Sequence, residues 1–207
     1  MFRLLLSSLI AFATLTSASE LGAVERNPMP QTASAVLGGE TARPLSAWVE
    51  FCATYADECR VDASEPETIR LTPDIWRALN DVNARVNRTV TPVTDMQHWG
   101  VVDRWTLAED GLGDCEDFQL LKRRKLASLG LPRRAMLMTV VLDENDEGHA
   151  VLMVRTDRGD LVLDNKRDEV LSWDRTPYVY VKRESQDNVA WVSLNRLSGV
   201  TTTATRR

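Results

Sequence analysis

The stretch Gly111-Leu112-Gly113-Asp114-Cys115-Glu116-Asp117-Phe118 constrains this chain more than any other. Two glycines allow a tight backbone turn. A cysteine follows between acids, and then a helix-like run, Phe118 to Leu126, that Gly130 and Pro132 stop after about Ser128. The pattern sets Cys115 at a helix N-terminus, where the macrodipole favours a thiolate. A packing cysteine sits among apolar neighbours, and this one does not, so a reactive or ligand role is the better reading.

The address of the chain sharpens that reading. Met1-Phe2-Arg3 is followed by a short apolar run, Leu4 to Leu15, and then by Thr16-Ser17-Ala18, the pattern of a secretory signal over residues 1–19. Residues 20–45 are expected to be a linker or loosely draped N-terminal arm, 46–199 one domain, and 200–207 a flexible tail. Export to the periplasm makes the three cysteines informative. Cys52 and Cys59 can close a small local loop as a disulfide, which leaves Cys115 as an odd, free thiol. A net charge of −5 and the lack of a basic, aromatic-laced patch give no reason to expect nucleic acid.

The coarse architecture is α+β. Ser46 to Tyr55 suggests a short helix. Thr72 as N-cap and Pro73 at the first helical position open a clearer one, whose Ile75, Trp76, Leu79, Val82 and Val86 keep a 3.6-residue period. Asp95 to Asp110 looks loop-like but carries His98, Trp99 and Trp105, the last a candidate wall of the site. After Arg134 the period changes. Segments 134–142, 149–155, 161–163 and 178–182 are expected to form strands of an antiparallel meander.

A cysteine nucleophile needs a base, and the base needs a group to orient it. Only His98 and His149 are available. His149 opens one strand and Asp164 ends the next. A turn at Thr156-Asp157 pairs the two directly, and a turn at Asp157-Arg158 sets them diagonally on one face. An odd-residue loop would separate them. Cys115, His149 and Asp164 are thus the candidate nucleophile, base and orienter. Asp114, Glu116 and Asp117 oppose a thiolate by like charge. They are either helix-start acids that complement the dipole or, with Asp103 and Asp110 as further candidates, ligands of Ca²⁺.

Gly113-Asp-Cys-Glu-Asp-Phe118, Lys122-Arg123, Gly148-His-Ala-Val-Leu152, Val162-Leu-Asp-Asn165 and Trp173 resemble the bacterial transglutaminase-like cysteine proteinases, the LapG-like periplasmic proteases. The resemblance spans roughly Ile69 to Ser193. It implies a papain/transglutaminase-like fold with the helix bearing Cys115 packed on an antiparallel sheet, and a Cys115–His149–Asp164 triad. It also implies a calcium site on Asp114, Glu116 and Asp117. The implied substrate is an exported protein, a large surface adhesin whose cleavage releases biofilm cells. The implied partner is an inner-membrane cyclic-di-GMP receptor. The oxyanion would be held by the Cys115 backbone N–H plus an upstream donor, for which Gln97 is the candidate. Two rival readings stand beside this one. They are acyl transfer to an amine through the same triad, and a silent calcium-binding adaptor, against which the intact Cys/His/Asp set argues.

Overall fold

The computed structural model describes residues 28–31, 34–36, 38–194 and 203. The expected signal segment 1–19 lies outside them, as does the expected 200–207 tail apart from Thr203. Helices α1 (Ser46–Thr54) and α2 (Ala56–Cys59) precede the long α3 (Pro73–Thr89), and α4 (Asp95–His98) precedes α5 (Cys115–Ser128). Strands β1 (Thr41–Ala42), β4 (Met136–Leu142), β5 (Gly148–Thr156), β6 (Gly159–Asp164), β7 (Arg167–Ser172), β8 (Val179–Glu184) and β9 (Trp191–Ser193) make one sheet. Two short strands, β2 (Thr91–Pro92) and β3 (Leu112–Gly113), pair in parallel apart from it.

The sheet order is β1-β9-β8-β4-β5-β6-β7, antiparallel at every step. It differs from the expected meander in one respect. The chain runs β4 to β7 as a meander, then crosses to the opposite side of β4 and lays down β8 and β9 there. β7 has no local signature because Arg167, Asp168 and Glu169 leave only Val170 and Ser172 buried. A charged edge strand of this kind discourages pairing with another chain.

The helices form where their caps say they should. Thr72 Oγ1 accepts the Ile75 N–H at 3.3 Å and Pro73 fills the first helical position. α5 stops where Gly130 takes a φ of +89°. Both helices bury an apolar stripe against the sheet and each other. Trp76, Leu79, Val86, Phe118, Leu120 and Leu126 meet Leu152, Val154, Leu161 and Leu163 in the main core. The other face of β4 to β6 carries a smaller core of Val141, Val151, Met153, Val162, Tyr178 and Tyr180. Burial on both faces explains why β5 is almost continuously apolar after His149.

Described residues of the 20–45 stretch make specific contacts with the domain. Val36 is buried in the smaller core, its N–H bonds Asp160 Oδ2 at 2.7 Å, and the Trp173 indole donates to Ser34 O at 2.8 Å. Thr41–Ala42 then pairs with β9. Cys52 and Cys59 form a disulfide, and Cys115 is the free cysteine. The loop it closes presents Glu58, which takes Arg124 Nε at 3.0 Å and Arg133 Nη1 at 2.5 Å on its carboxylate. Those cations hold Glu58 below the usual carboxylate range although burial, the largest single influence, works the other way. Next to it Arg123 of α5, nearly inaccessible, donates to Glu184 Oε2 at 2.6 Å and to Glu58 O at 2.9 Å. Glu184 also accepts from the Trp48 indole and the Met138 N–H, each at 2.8 Å.

A charge buried this deeply is tolerated only while paired. Arg123→Met is therefore expected to cost about 3–5 kcal/mol in urea unfolding, because Glu184 is left charged and uncompensated.

Candidate active site

The turn before α5 is built so that acids can fold back beneath it. Gly111 has a φ of +82°, a region that other residues rarely adopt. Gly113 is needed for space, since a Cβ there would lie 2.6 Å from Asp117 Oδ2. Backbone bonds from Thr91 N to Gly111 O (2.8 Å) and from Val93 N to Gly113 O (3.0 Å) lock the turn to β2. Cys115 is the first residue of α5, with Asp114 as its N-cap. Its Sγ accepts the Ala150 N–H at 3.4 Å and donates to Glu116 Oε2 at 3.2 Å. Burial first, then the charges of Glu116 and Asp114, push the thiol well above its ordinary value. With its own acids as they stand, the cysteine rests as a neutral thiol.

His149 and Asp164 meet on the smaller-core face of the sheet. Leu152 pairs with Leu163 and Thr156 with Gly159, so the turn is Asp157-Arg158 and Asp164 lies diagonal to His149. His149 Nε2 and Asp164 Oδ1 are 2.9 Å apart, with both side chains almost fully buried. The Tyr178 hydroxyl donates to Asp164 Oδ2 at 2.5 Å and the Lys166 N–H to Oδ1 at 3.0 Å. Burial alone would raise the Asp164 carboxyl. The hydrogen bond and charge of His149, followed by Tyr178 and Lys166, outweigh it and hold the group at about 2. An ionised Asp164 only accepts, so Nε2 carries the proton and a neutral imidazole keeps its lone pair on Nδ1. Among the described residues there is no thiol–imidazole hydrogen bond. The two rings of chemistry join instead through Ala150, the residue after His149, whose N–H reaches Sγ.

Two asparagines of α3 fix the end of β6, and sequence reasoning missed both. Asn83 Oδ1 accepts the Asp164 N–H at 3.1 Å, and its Nδ2 donates to the carbonyls of Arg167 (3.0 Å) and Asp168 (2.9 Å). Asn87 Nδ2 donates to Asp164 O at 3.0 Å. The β6–β7 register slips between Val162 and Asp164, a local irregularity of the kind that re-aims a side chain. The available signal was an asparagine pair four residues apart beside the apolar stripe of α3.

The acids separate into two groups. Asp95, Asp114 and Glu116 bring carboxylate oxygens within 4.8 Å of one another. Asp114 Oδ1 and Glu116 Oε1 are buried with no hydrogen-bond partner among the described residues. Burial and then the Asp114 charge raise Asp95 to about 7. Burial, then Asp114 and Asp117, put Glu116 well above its ordinary range, and burial raises Asp114. Converging buried carboxylates with unsatisfied oxygens fit a hard, oxygen-seeking cation. Asp117 stands apart from this cluster. Its Oδ1 accepts Thr106 N (2.6 Å) and Thr106 Oγ1 (3.0 Å), and its Oδ2 accepts Asp114 N (3.3 Å). Asp95, and not Asp117, completes the group of converging carboxylates.

The remaining candidates do other work. Asp110 accepts the Leu112 N–H and pairs with His98 at 2.9 Å. Asp103 accepts the Trp105 indole N–H at 3.0 Å, and Trp105 lies in the main core against Trp191 instead of walling a cleft. Gln97 is exposed and turns its side-chain carbonyl back onto Thr94 N (3.3 Å) and Oγ1 (3.1 Å) to cap α4. The structure does not bring it to the thiol.

The model of the bacterial transglutaminase-like cysteine proteinases matches residues 37–198. The chain belongs to that family. It is therefore a cysteine peptidase of papain/transglutaminase-like α+β fold. The calcium-bound LapG of Legionella pneumophila shares this fold with a TM-score of 0.51, at 24% identity over 66% of this chain and 77% of that one. A second Legionella pneumophila LapG structure is 25% identical over 59% of this chain and 69% of that one, with a TM-score of 0.49. No curated protein matches the chain.

As a bacterial transglutaminase-like cysteine proteinase with a depressed Asp164, the protein is expected to show an acid limb of stability set by that group. A folded value of about 2 lies below the ordinary carboxylate value, so the contribution is present above pH 4 and is lost as pH falls toward 2. The shift corresponds to about 2 kcal/mol. Asp164→Asn is expected to flatten that limb when thermal unfolding is followed from pH 6 down to pH about 2. An unchanged limb would assign it to other acids.

Proposed function

We propose that the protein is an exported, calcium-dependent cysteine endopeptidase with Cys115 as nucleophile, His149 as general base and acid, and Asp164 as the group that fixes the imidazole. The reading is carried by one observation: the buried 2.9 Å bond from His149 Nε2 to Asp164, formed beside the strand residue whose N–H reaches the Cys115 sulfur. Family membership supplies the reaction class.

In the reaction, Nδ1 of His149 takes the thiol proton as Sγ attacks the peptide carbonyl carbon. The same nitrogen returns that proton to the departing amine when the C–N bond breaks. The resulting thioester is hydrolysed by water, activated by the same imidazole. Asp164 stays ionised throughout and stabilises the imidazolium. Tyr178, Lys166 N–H and the Asn83 and Asn87 clamps hold the carboxylate in place. The Cys115 N–H, one of the free donors at the start of α5, is the oxyanion donor of this scheme. Gln97 has no part in it.

Asp95, Asp114 and Glu116 are the residues that would hold calcium, an assignment that the orphaned oxygens of Asp114 and Glu116 support. A cation held by these carboxylates would offset the negative charge that otherwise keeps Cys115 protonated. The Cys52–Cys59 disulfide supports an oxidising compartment, here the periplasm. An exported surface protein, an adhesin in the first instance, is the substrate this reading favours, with an inner-membrane cyclic-di-GMP receptor as the regulator to test.

Two results are expected. On adhesin N-terminal segments, Cys115→Ala and His149→Ala abolish cleavage, and Asp164→Asn lowers kcat by roughly 10³–10⁴-fold. Cleavage that survives Cys115→Ala would overturn the assignment. Calcium at about a hundred times its Kd is expected to stabilise the protein by about 2.7 kcal/mol in thermal unfolding. Asp95→Asn should lose most of that shift while Asp110→Asn keeps it.

A further inference from the structure

The two oxygens of Asp164 have different surroundings. Oδ1 takes His149 Nε2 at 2.9 Å and the Lys166 N–H at 3.0 Å. Oδ2 takes the Tyr178 hydroxyl at 2.5 Å, and beside that bond stands a charge that the reaction scheme leaves unused. Arg167, the first residue of β7, brings its Nε to 3.6 Å from Oδ2. That nitrogen is buried and has no hydrogen-bond partner among the described residues. The distance is too long for a hydrogen bond and short enough for an ion pair. The guanidinium carbon lies 5.7 Å from the centre of the Tyr178 ring, which in turn meets the His149 ring at 5.6 Å. The backbone fixes this placement. Arg167 pairs with Asp164 across the β6–β7 turn, and Asn83 and Asn87 each donate to its carbonyl at 3.0 Å.

His149 must be neutral to accept the thiol proton, yet a buried carboxylate at 2.9 Å favours the imidazolium. Tyr178 cannot correct this, because a neutral donor leaves the net charge of the pair unchanged. A guanidinium can. We propose that Arg167 is a positioning residue of the peptidase: its permanent charge on Oδ2 balances Asp164, disfavours the imidazolium and leaves His149 free to receive the thiol proton. The other charged groups around the pair are engaged elsewhere or act on it more weakly. Lys166 sends its ammonium to Asp143 at 2.6 Å. Burial, then the charge of Asp164, push the Tyr178 hydroxyl well above its ordinary value, so it remains a donor. From α5 come Cys115, a neutral thiol, and the buried Lys122, whose ammonium burial brings down to about 7 against the pull of Asp164 and Asp168. Glu144, in the β4–β5 turn, is exposed and lies 3.7 Å from Arg167 Nη2, where it offsets part of the guanidinium charge. Among the described residues, Asp164 makes ion pairs with His149 and Arg167 alone. The inference rests on His149 as the base of the proposed peptidase, but not on which protein is cut.

The experiment reads the imidazole directly and needs no substrate. The chain has two histidines, so ¹³C labelling at the histidine ring gives two signals, and His149→Gln shows which one belongs to His149. That signal is titrated by NMR from about pH 4 to about pH 9, at one fixed calcium concentration, in the unaltered protein and in three variants. Arg167→Met and Arg167→Gln remove the charge, and the second keeps a polar side chain on this edge strand in case the first fails to fold. Arg167→Lys keeps the charge. Both neutral variants are expected to move the His149 midpoint up by about one pH unit, a ten-fold gain in proton affinity. Arg167→Lys is expected to return it most of the way. A midpoint that stays or falls when the charge is lost would overturn the proposal. So would a shift as large in Arg167→Lys as in Arg167→Met, since packing and not charge would then be responsible. In cleavage assays the acid limb of kcat/KM should move up by the same interval in Arg167→Met, while the rate above it does not fall. The titration stays readable if no cleavage is found, so this assignment and the peptidase reading fall separately.

Discussion

The seating of the α5 N-terminus against the start of β5 decides most of what this molecule can do. Phe118 and Leu120 bury beside Ala150 and Leu152, and that apolar contact carries Cys115 to within reach of the Ala150 N–H. The nucleophile thus comes from a helix and its base from a strand, with apolar burial as the adhesive between them. Arg123, two turns further along α5, ties the same helix to Glu184 under the sheet. The helix is therefore fixed at its start by packing and in its middle by a buried ion pair.

The second half of the site is organised by a different force. Asp164 is kept ionised in a dry environment by three donors, drawn from β5, the β6–β7 turn and β8's approach at Tyr178, while Asn83 of α3 accepts its backbone N–H and fixes its position. Polar networks of this sort are favourable only when every member is satisfied. The acidic cluster next door is the opposite case. Asp114 and Glu116 each retain a buried oxygen with no hydrogen-bond partner among the described residues. One carboxylate is satisfied by protein alone, whereas its neighbours are arranged as though awaiting positive charge.

What was legible in the sequence follows from how local each signal is. Thr72 and Pro73 announce α3, the Gly/Cys/acid turn announces α5, and two-residue periodicity across a short turn is enough to set His149 beside Asp164. Asp95 carried no such mark. It sits in a polar segment nineteen residues before Asp114 and joins it only because β2 and β3 pair. β7 was hidden because an edge strand with one wet face lacks apolar alternation. The position of β8 beside β4 was hidden because strand order is a long-range choice that no local period encodes. Thr203, buried beside Cys115 and Glu116, was hidden for the same reason.

The turn from Gly113 to Asp117 has a further consequence for the history of the sequence. Gly113 leaves room for Asp117, Asp114 and Glu116 converge with Asp95, Cys115 reaches Ala150, and Asp117 braces Thr106. Each of the five adjacent positions is tied to Asp95, Ala150, Thr106 or another of the five, so a replacement is not absorbed by adjusting the next residue along. Drift can reshape the surface around Met96, Val101 and Val102, all well exposed, while this pentapeptide changes only if several distant positions change together.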